Sequence, residues 1–133
     1  MQAGSESFLT VVTGTCSWAV PLSAVINIIT KGLHSPVPLL PPWHLGVFYY
    51  DGVVLPFYDL GQYTGGAVRP WKLVIVCKLE TELIALAADG VGETILVEAK
   101  DYSKAQNQWD QEEVRIIKES GEFIRPTLEL FAR

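Results

Sequence analysis

A chain of 133 residues that is 49% hydrophobic and 19% charged is long enough for one domain with its own core and too apolar to remain disordered. Its net charge of -5 and pI of about 4.9 exclude a broad basic surface, so neither a nucleic acid nor an anionic membrane is expected as a partner. Apolar runs are interrupted by Pro, Gly, Ser or Asn before they reach transmembrane length, and the opening MQAGSESFLTVV lacks the basic and apolar regions of an export signal, so a cytoplasmic location is expected.

Charge is unevenly spread. Residues 1–70 carry only Glu6, Lys31, Asp51, Asp59 and Arg69, and every other charge falls in 71–133. A charge-starved half either leaves apolar area for a partner or is wrapped by the other half.

In chain order, Ser7 to Thr13 and Cys16 to Val20 read as a hairpin about Gly14-Thr15. Pro21 to Ile29 begins as a helical turn behind a proline and runs out into a β-branched strand. Residues 35–45, SPVPLLPPWHL, form an ordered apolar loop, because Pro36, Pro38, Pro41 and Pro42 deny it the donors of a regular element. Gly46 to Tyr50 and Val53 to Pro56 flank Asp51-Gly52, a dipeptide suited to the positive φ angles of a tight hairpin. Phe57 to Gly66 predicts a turn of helix closed by Gly65-Gly66. Lys72 to Leu79, Glu82 to Ala88 and Val91 to Glu98 follow as strands whose apolar runs predict burial on both faces. The polar stretch 99–112 predicts a loop, 113–125 a hairpin about Ser120-Gly121, and Thr127 the cap of a short helix presenting Leu128 and Phe131 on one side. This is an all-β chain with little helix.

Catalytic chemistry needs titratable groups gathered together, and little points to any. His34 and His44 flank the proline loop without metal-ligand spacing, and Asp51, Glu80, Glu82, Glu112 and Glu113 fall in turns or polar loops. Cys16 and Cys77 lie far apart in apolar surroundings, as reduced core thiols do. The glycine-rich stretches at Tyr63–Gly66 and Asp89–Gly92 lack the lysine and following helix of a phosphate loop. Neither an enzyme, a metal nor a cofactor is expected. The remaining signal is aromatic: Trp43, Phe48, Tyr49, Tyr50, Phe57, Tyr58 and Tyr63 either fill a small barrel or stand outside as anchors.

The segment GVFYYDGVVLPFYDL resembles the Gly-Val-x-Asn-x-Arg-Gly-x-Val-x-Pro-x-x-Asp-Leu signature of CheW-like domains, matching at Gly46, Val47, Gly52, Val54, Pro56, Asp59 and Leu60. FLTVVTGTCSWAVPLSAVINII is similar to the family's opening hairpin and Val-x-Glu-Ile element, KLVIVCKLETELIALAADGVGETI to its Val-Asp-x-Val strand pair, and GEFIRPTLELFAR to its closing strand and helix. The resemblance implies a single domain over 1–133 built of two interwoven five-stranded SH3-like barrels, with subdomains of about 19–68 and 7–18 plus 69–133. It implies a non-catalytic scaffold, without cofactor, that couples chemoreceptors to a CheA-type histidine kinase by binding the kinase's CheW-like regulatory domain. The receptor tip would dock in the groove between barrels, at positions matching Leu22, Val25, Asn27, Asp51, Leu73, Val91 and Thr94. The kinase-facing surface would match Val37, Leu39, Leu40, Trp43 and Leu45, with Trp43 as its anchor.

Three departures stand out: Tyr49 replaces the signature Asn, Asn27 replaces a usual Glu, and Asp51 replaces a usual Arg. An opposite-charge pair beside the groove is therefore gone, which predicts either poor binding of standard receptor tips or a partner of altered charge. A small-ligand-binding β-barrel lined by aromatics is the alternative function. An oligonucleotide-binding barrel would need an electropositive face, which the charge distribution opposes.

Overall fold

Alternation along the first two strands sets the architecture. In β1 (Glu6–Thr13) and β2 (Cys16–Pro21), Val11, Trp18 and Val20 point to one core while Phe8 and Ala19 point to another, as the period of two requires. The two strands pair antiparallel from Phe8 opposite Pro21 to Thr13 opposite Cys16, and Gly14 turns the chain at a φ of 58°. A computed structural model describes residues 5–14, 16–30, 32–65, 70–106 and 112–131. Thr15 and Gly66, expected in turns, lie outside the described residues.

Pro21 leads into a single 3-10 turn, Leu22–Ala24, and the chain extends as β3 (Val25–Ile29). There follow β4 (Leu33–Ser35), β5 (His44–Tyr50), β6 (Val53–Asp59) and the helical turn α1 (Leu60–Tyr63). Then come β7 (Leu73–Leu79), β8 (Glu82–Ala88), β9 (Gly90–Val97), a 3-10 turn at Ala99–Asp101, β10 (Tyr102–Gln106), β11 (Glu112–Lys118), β12 (Gly121–Ile124) and α2 (Leu128–Phe131). One sheet has the order β10-β11-β12-β2-β1-β9 and the other β3-β7-β8-β6-β5-β4, so each described sheet has six strands, the sixth of the second being the three-residue β4. The chain starts in the first sheet, builds the whole of the second, and returns to finish the first. That is the interweaving the resemblance implies.

Each sheet curls round a core of its own, and the two sheets share a third. Phe48, Leu55, Phe57, Val74, Val76, Ala85 and Ala87 fill the second sheet, and Phe8, Ala19, Val97, Ile116 and Phe123 fill the first. Between them lie Val11, Trp18 and Val20 of the first sheet and Ile75, Cys77, Leu79, Ile84 and Leu86 of the second, closed by Leu60 and Tyr63 of α1 and Leu130 and Phe131 of α2. Strands β7 and β8 divide their side chains between two cores, which is why they read as apolar on both faces. Strand β9 does not: it lies at a sheet edge, and Val91, Thr94 and Leu96 face solvent.

Two other expectations change. The stretch 99–112 is not a loop throughout: Asp101 accepts a hydrogen bond from the Glu98 backbone at 2.8 Å and pairs with Lys118 at 3.0 Å, and this closed turn launches β10 against β11. A polar edge strand such as Tyr102–Gln106 is hidden from hydrophobic periodicity, and 107–111 lie outside the described residues. The subdomain limits 19–68 and 7–18 plus 69–133 also differ from sheet membership. Strand β8 pairs parallel with β6 and antiparallel with β7, so the second sheet runs on to Ala88.

The thiols part company with burial. Cys77 is buried in the shared core, where desolvation pushes its pKa up to about 12, while Cys16 is half-buried at the start of β2. The folded state therefore holds the Cys77 proton more tightly than the unfolded chain does, and the stability this group contributes falls as pH rises from about 9 toward 12.

Candidate functional site

The site is built on the β5–β6 hairpin and the proline loop that leans on it. Asp51 and Gly52 both have positive φ, 48° and 78°, the geometry that matches a two-residue turn to strand twist. The far end of β5 is held differently. Gly46 has a φ of 108°, and a Cβ there would run into the Ser35 carbonyl oxygen and come within 2.8 Å of the Pro36 Cα. Only glycine lets the loop backbone lie flat on the strand at this point. The loop is tied down further by His44 N–H donating to the Pro41 carbonyl at 2.9 Å and by Asp59 N–H donating to the Trp43 carbonyl at 2.7 Å. Asp59 in turn caps α1, its Oδ1 accepting from the Gly61 and Gln62 amides at 3.0 and 3.4 Å, which places Leu60 wholly inside the shared core. The Asp-Leu of the signature is thus a structural pair.

So anchored, the loop presents apolar side chains outward. Val37 and Leu40 line a cavity of about 360 Å³ with His44, Gly46, Val47, Val54, Leu55 and Pro56, and not one charged residue lines it. The backbone amide of Gly46 donates to His44 Nδ1 at 3.1 Å, the imidazole packs edge-on to Tyr58 at 4.7 Å, and burial holds His44 below the usual imidazole range. A neutral ring with Nδ1 as acceptor keeps the cavity uncharged. Beside it, Leu39 is fully exposed and adopts a left-handed φ of 66°, costly for a residue with a γ-branched side chain.

Of the expected kinase-facing residues, Val37, Leu39 and Leu40 are exposed together and Leu45 is half-buried against the core of the second sheet. Trp43 is a correction. Its side chain is 7% exposed and packs edge-on to Tyr63 at 5.8 Å in the shared core, so it supports the loop from beneath and presents nothing to a partner. Composition alone does not separate these roles, since a tryptophan among prolines suits an anchor and a core equally well. The cavity wall formed by Val47, Val54 and Pro56 was not singled out as a contact surface, although all three belong to the matched signature.

The expected receptor-facing residues fall into three places. Asn27 Nδ2 donates to the Tyr50 hydroxyl at 3.4 Å, which links β3 to the strand leading into the Asp51 turn; both Asn27 and Asp51 are exposed. A neutral amide–phenol contact thus occupies this side of the sheet, and Tyr50 was the partner the sequence reading missed. Leu22 is exposed on the turn before β3, while Val25 and Leu73 are half-buried at the border of the shared core. Val91 and Thr94 lie exposed on the edge strand of the other sheet, opposite Val11 and Leu9. His34 packs between Phe57 and Trp71 at 5.4 and 5.5 Å, away from His44's partners, and among the described residues no cluster of His, Cys, Asp or Glu has the makings of a metal site.

With that geometry in place, the family model for the CheW-like domain matches residues 7–125. The chain belongs to the CheW-like domain family. Among solved structures, this CheW-like domain is similar to the scaffolding protein TtCheW from Thermoanaerobacter tengcongensis, with a TM-score of 0.77 over 96% of this chain and 93% of that one. The two share 15% sequence identity, so the likeness is one of fold. No curated protein sequence matches the chain. Among the described residues of the CheW-like domain, no helix is long and apolar enough to cross a membrane.

Proposed function

We propose that this CheW-like domain is a non-catalytic scaffold of a chemosensory array, coupling chemoreceptors to a CheA-type histidine kinase. The observation that carries this reading is the coincidence of family membership over residues 7–125 with an uncharged, exposed surface at Val37, Leu39 and Leu40 beside an apolar cavity. That surface is the kinase-binding face, joined by Leu45 at its edge and supported from inside by Trp43. Its occupant is the kinase's CheW-like regulatory domain. Leu22, Val25, Asn27, Asp51, Leu73, Val91 and Thr94 make the receptor-binding surface. The small-ligand reading is disfavoured by the aromatics themselves, because Trp43, Phe48, Phe57 and Tyr63 pack within the cores and none of them lines the apolar cavity beside the proline loop.

Coupling predicts bridging. When the kinase is mixed with vesicles bearing receptor cytoplasmic tips, it should sediment with the vesicles only when this protein is added; sedimentation unaffected by the protein contradicts the reading.

On the receptor side, the exposed Asp51 carboxylate is proposed to meet a cationic group at the rim of the partner. Rim charges act on association rate and salt dependence more than on affinity, with about 1 kcal/mol or less at stake. Asp51→Asn keeps the turn chemistry and removes the charge. The variant should fold with unchanged stability, associate with receptor tips more slowly and lose part of the salt dependence. Identical association kinetics at every salt concentration would reduce Asp51 to a turn residue.

A further inference from the structure

The face that carries the cavity has both halves of a knob-and-socket contact. Leu39 projects from the proline loop with its side chain wholly in solvent, so it does not fill the cavity of its own chain. The socket starts at the very next residue, with Leu40 and Val37 forming its near wall and Val47, Val54 and Pro56 its far wall. A projecting apolar group and an apolar recess side by side on one face are paired reciprocally by a two-fold axis passing between them, each copy giving one knob and taking one.

Charge favours the same occupant. The chain carries a net charge of -5, so two copies repel unless they meet where charge is scarce. From Gly32 to Tyr58 the sole ionisable charge is Asp51, at the remote turn of the hairpin, and the socket itself is lined by none. In register with Val54 across the sheet, Tyr49 and Leu33 are also exposed, apolar area that a small knob alone would leave wet. The left-handed backbone at Leu39 belongs to the same device, because a leucine held there points away from its own socket.

We infer that the protein self-associates through this face as a two-fold dimer, Leu39 of each copy seated in the Val37–Leu40–Val54 socket of the other. The face so covered is the one assigned above to the kinase, so the dimer is a resting form that the kinase must displace.

Sedimentation velocity on the full chain alone, from low micromolar to near-millimolar concentration, tests this. The parent should pass from monomer to dimer as concentration rises. Leu39→Gly removes the knob at a φ that glycine accepts, and Val54→Glu sets a carboxylate on the exposed wall of each socket; both should stay monomeric over the same range with melting temperatures no lower than the parent's. A parent that remains monomeric throughout overturns the inference, as does a dimer that persists undiminished in either variant. Because no kinase is present, the outcome is independent of whether the kinase binds.

Discussion

Trp43→Ala should cost about 3–5 kcal/mol of folding stability, the range for emptying a buried aromatic site. The indole sits in the core shared by both sheets, edge-on to Tyr63, and that ring also packs edge-on against Trp18 at 5.6 Å and Phe131 at 5.7 Å. Its loss would open a void where the proline loop, α1 and α2 all converge, and the neighbouring rings have little freedom to close it. Denaturant unfolding of the purified variant reads the effect. A variant of unchanged stability that has lost kinase binding would show instead that Trp43 leaves the core to act as a contact.

Gly46→Ala should also be severe, at about 3 kcal/mol or more, because two costs add. A φ of 108° is foreign to a residue with a Cβ, and the new methyl would meet the backbone at Ser35 and Pro36, where no rotamer change gives way. Relief requires the proline loop to lift from β5, and the loop is one wall of the cavity. The variant should therefore lose kinase affinity along with stability. Gly52→Ala is the control: its φ is also positive, but nothing stands within 4 Å of the added Cβ, so it should cost only the left-handed penalty of about 1–2 kcal/mol and leave binding intact. Equal stability losses in the two variants would mean that φ alone matters and that the close approach at Gly46 is unimportant.

Much of this architecture is legible in the sequence because its local signals agree. Asp51-Gly52 fixes a hairpin, Pro21 admits a short turn before β3, and alternation in β7 and β8 runs apolar on both sides because two cores flank them. Strand β10 escaped because Tyr102–Gln106 is polar and sits at an edge, held by pairing with β11 and by the Asp101 turn more than by burial. The division of the chain between sheets escaped for a different reason: the parallel pairing of β6 with β8 is a long-range choice that no local pattern encodes. Trp43 shows the limit most clearly. Its residue type marks it as important, but whether it points in or out depends on the hydrogen bond from Asp59 to its carbonyl, a contact made across the fold.

Titration calorimetry of this protein against the CheW-like regulatory domain of a CheA-type kinase from the same organism tests the central claim most directly. Binding at a Kd of about micromolar or tighter is expected. Leu39→Gly should weaken it by about 2 kcal/mol or more, as expected for an anchor. The same substitution should leave the fold as stable as before or more so, because glycine escapes the left-handed penalty of about 1–2 kcal/mol. No heat and no co-elution with any such kinase domain, or a Leu39→Gly variant that binds as tightly as the parent, would contradict it.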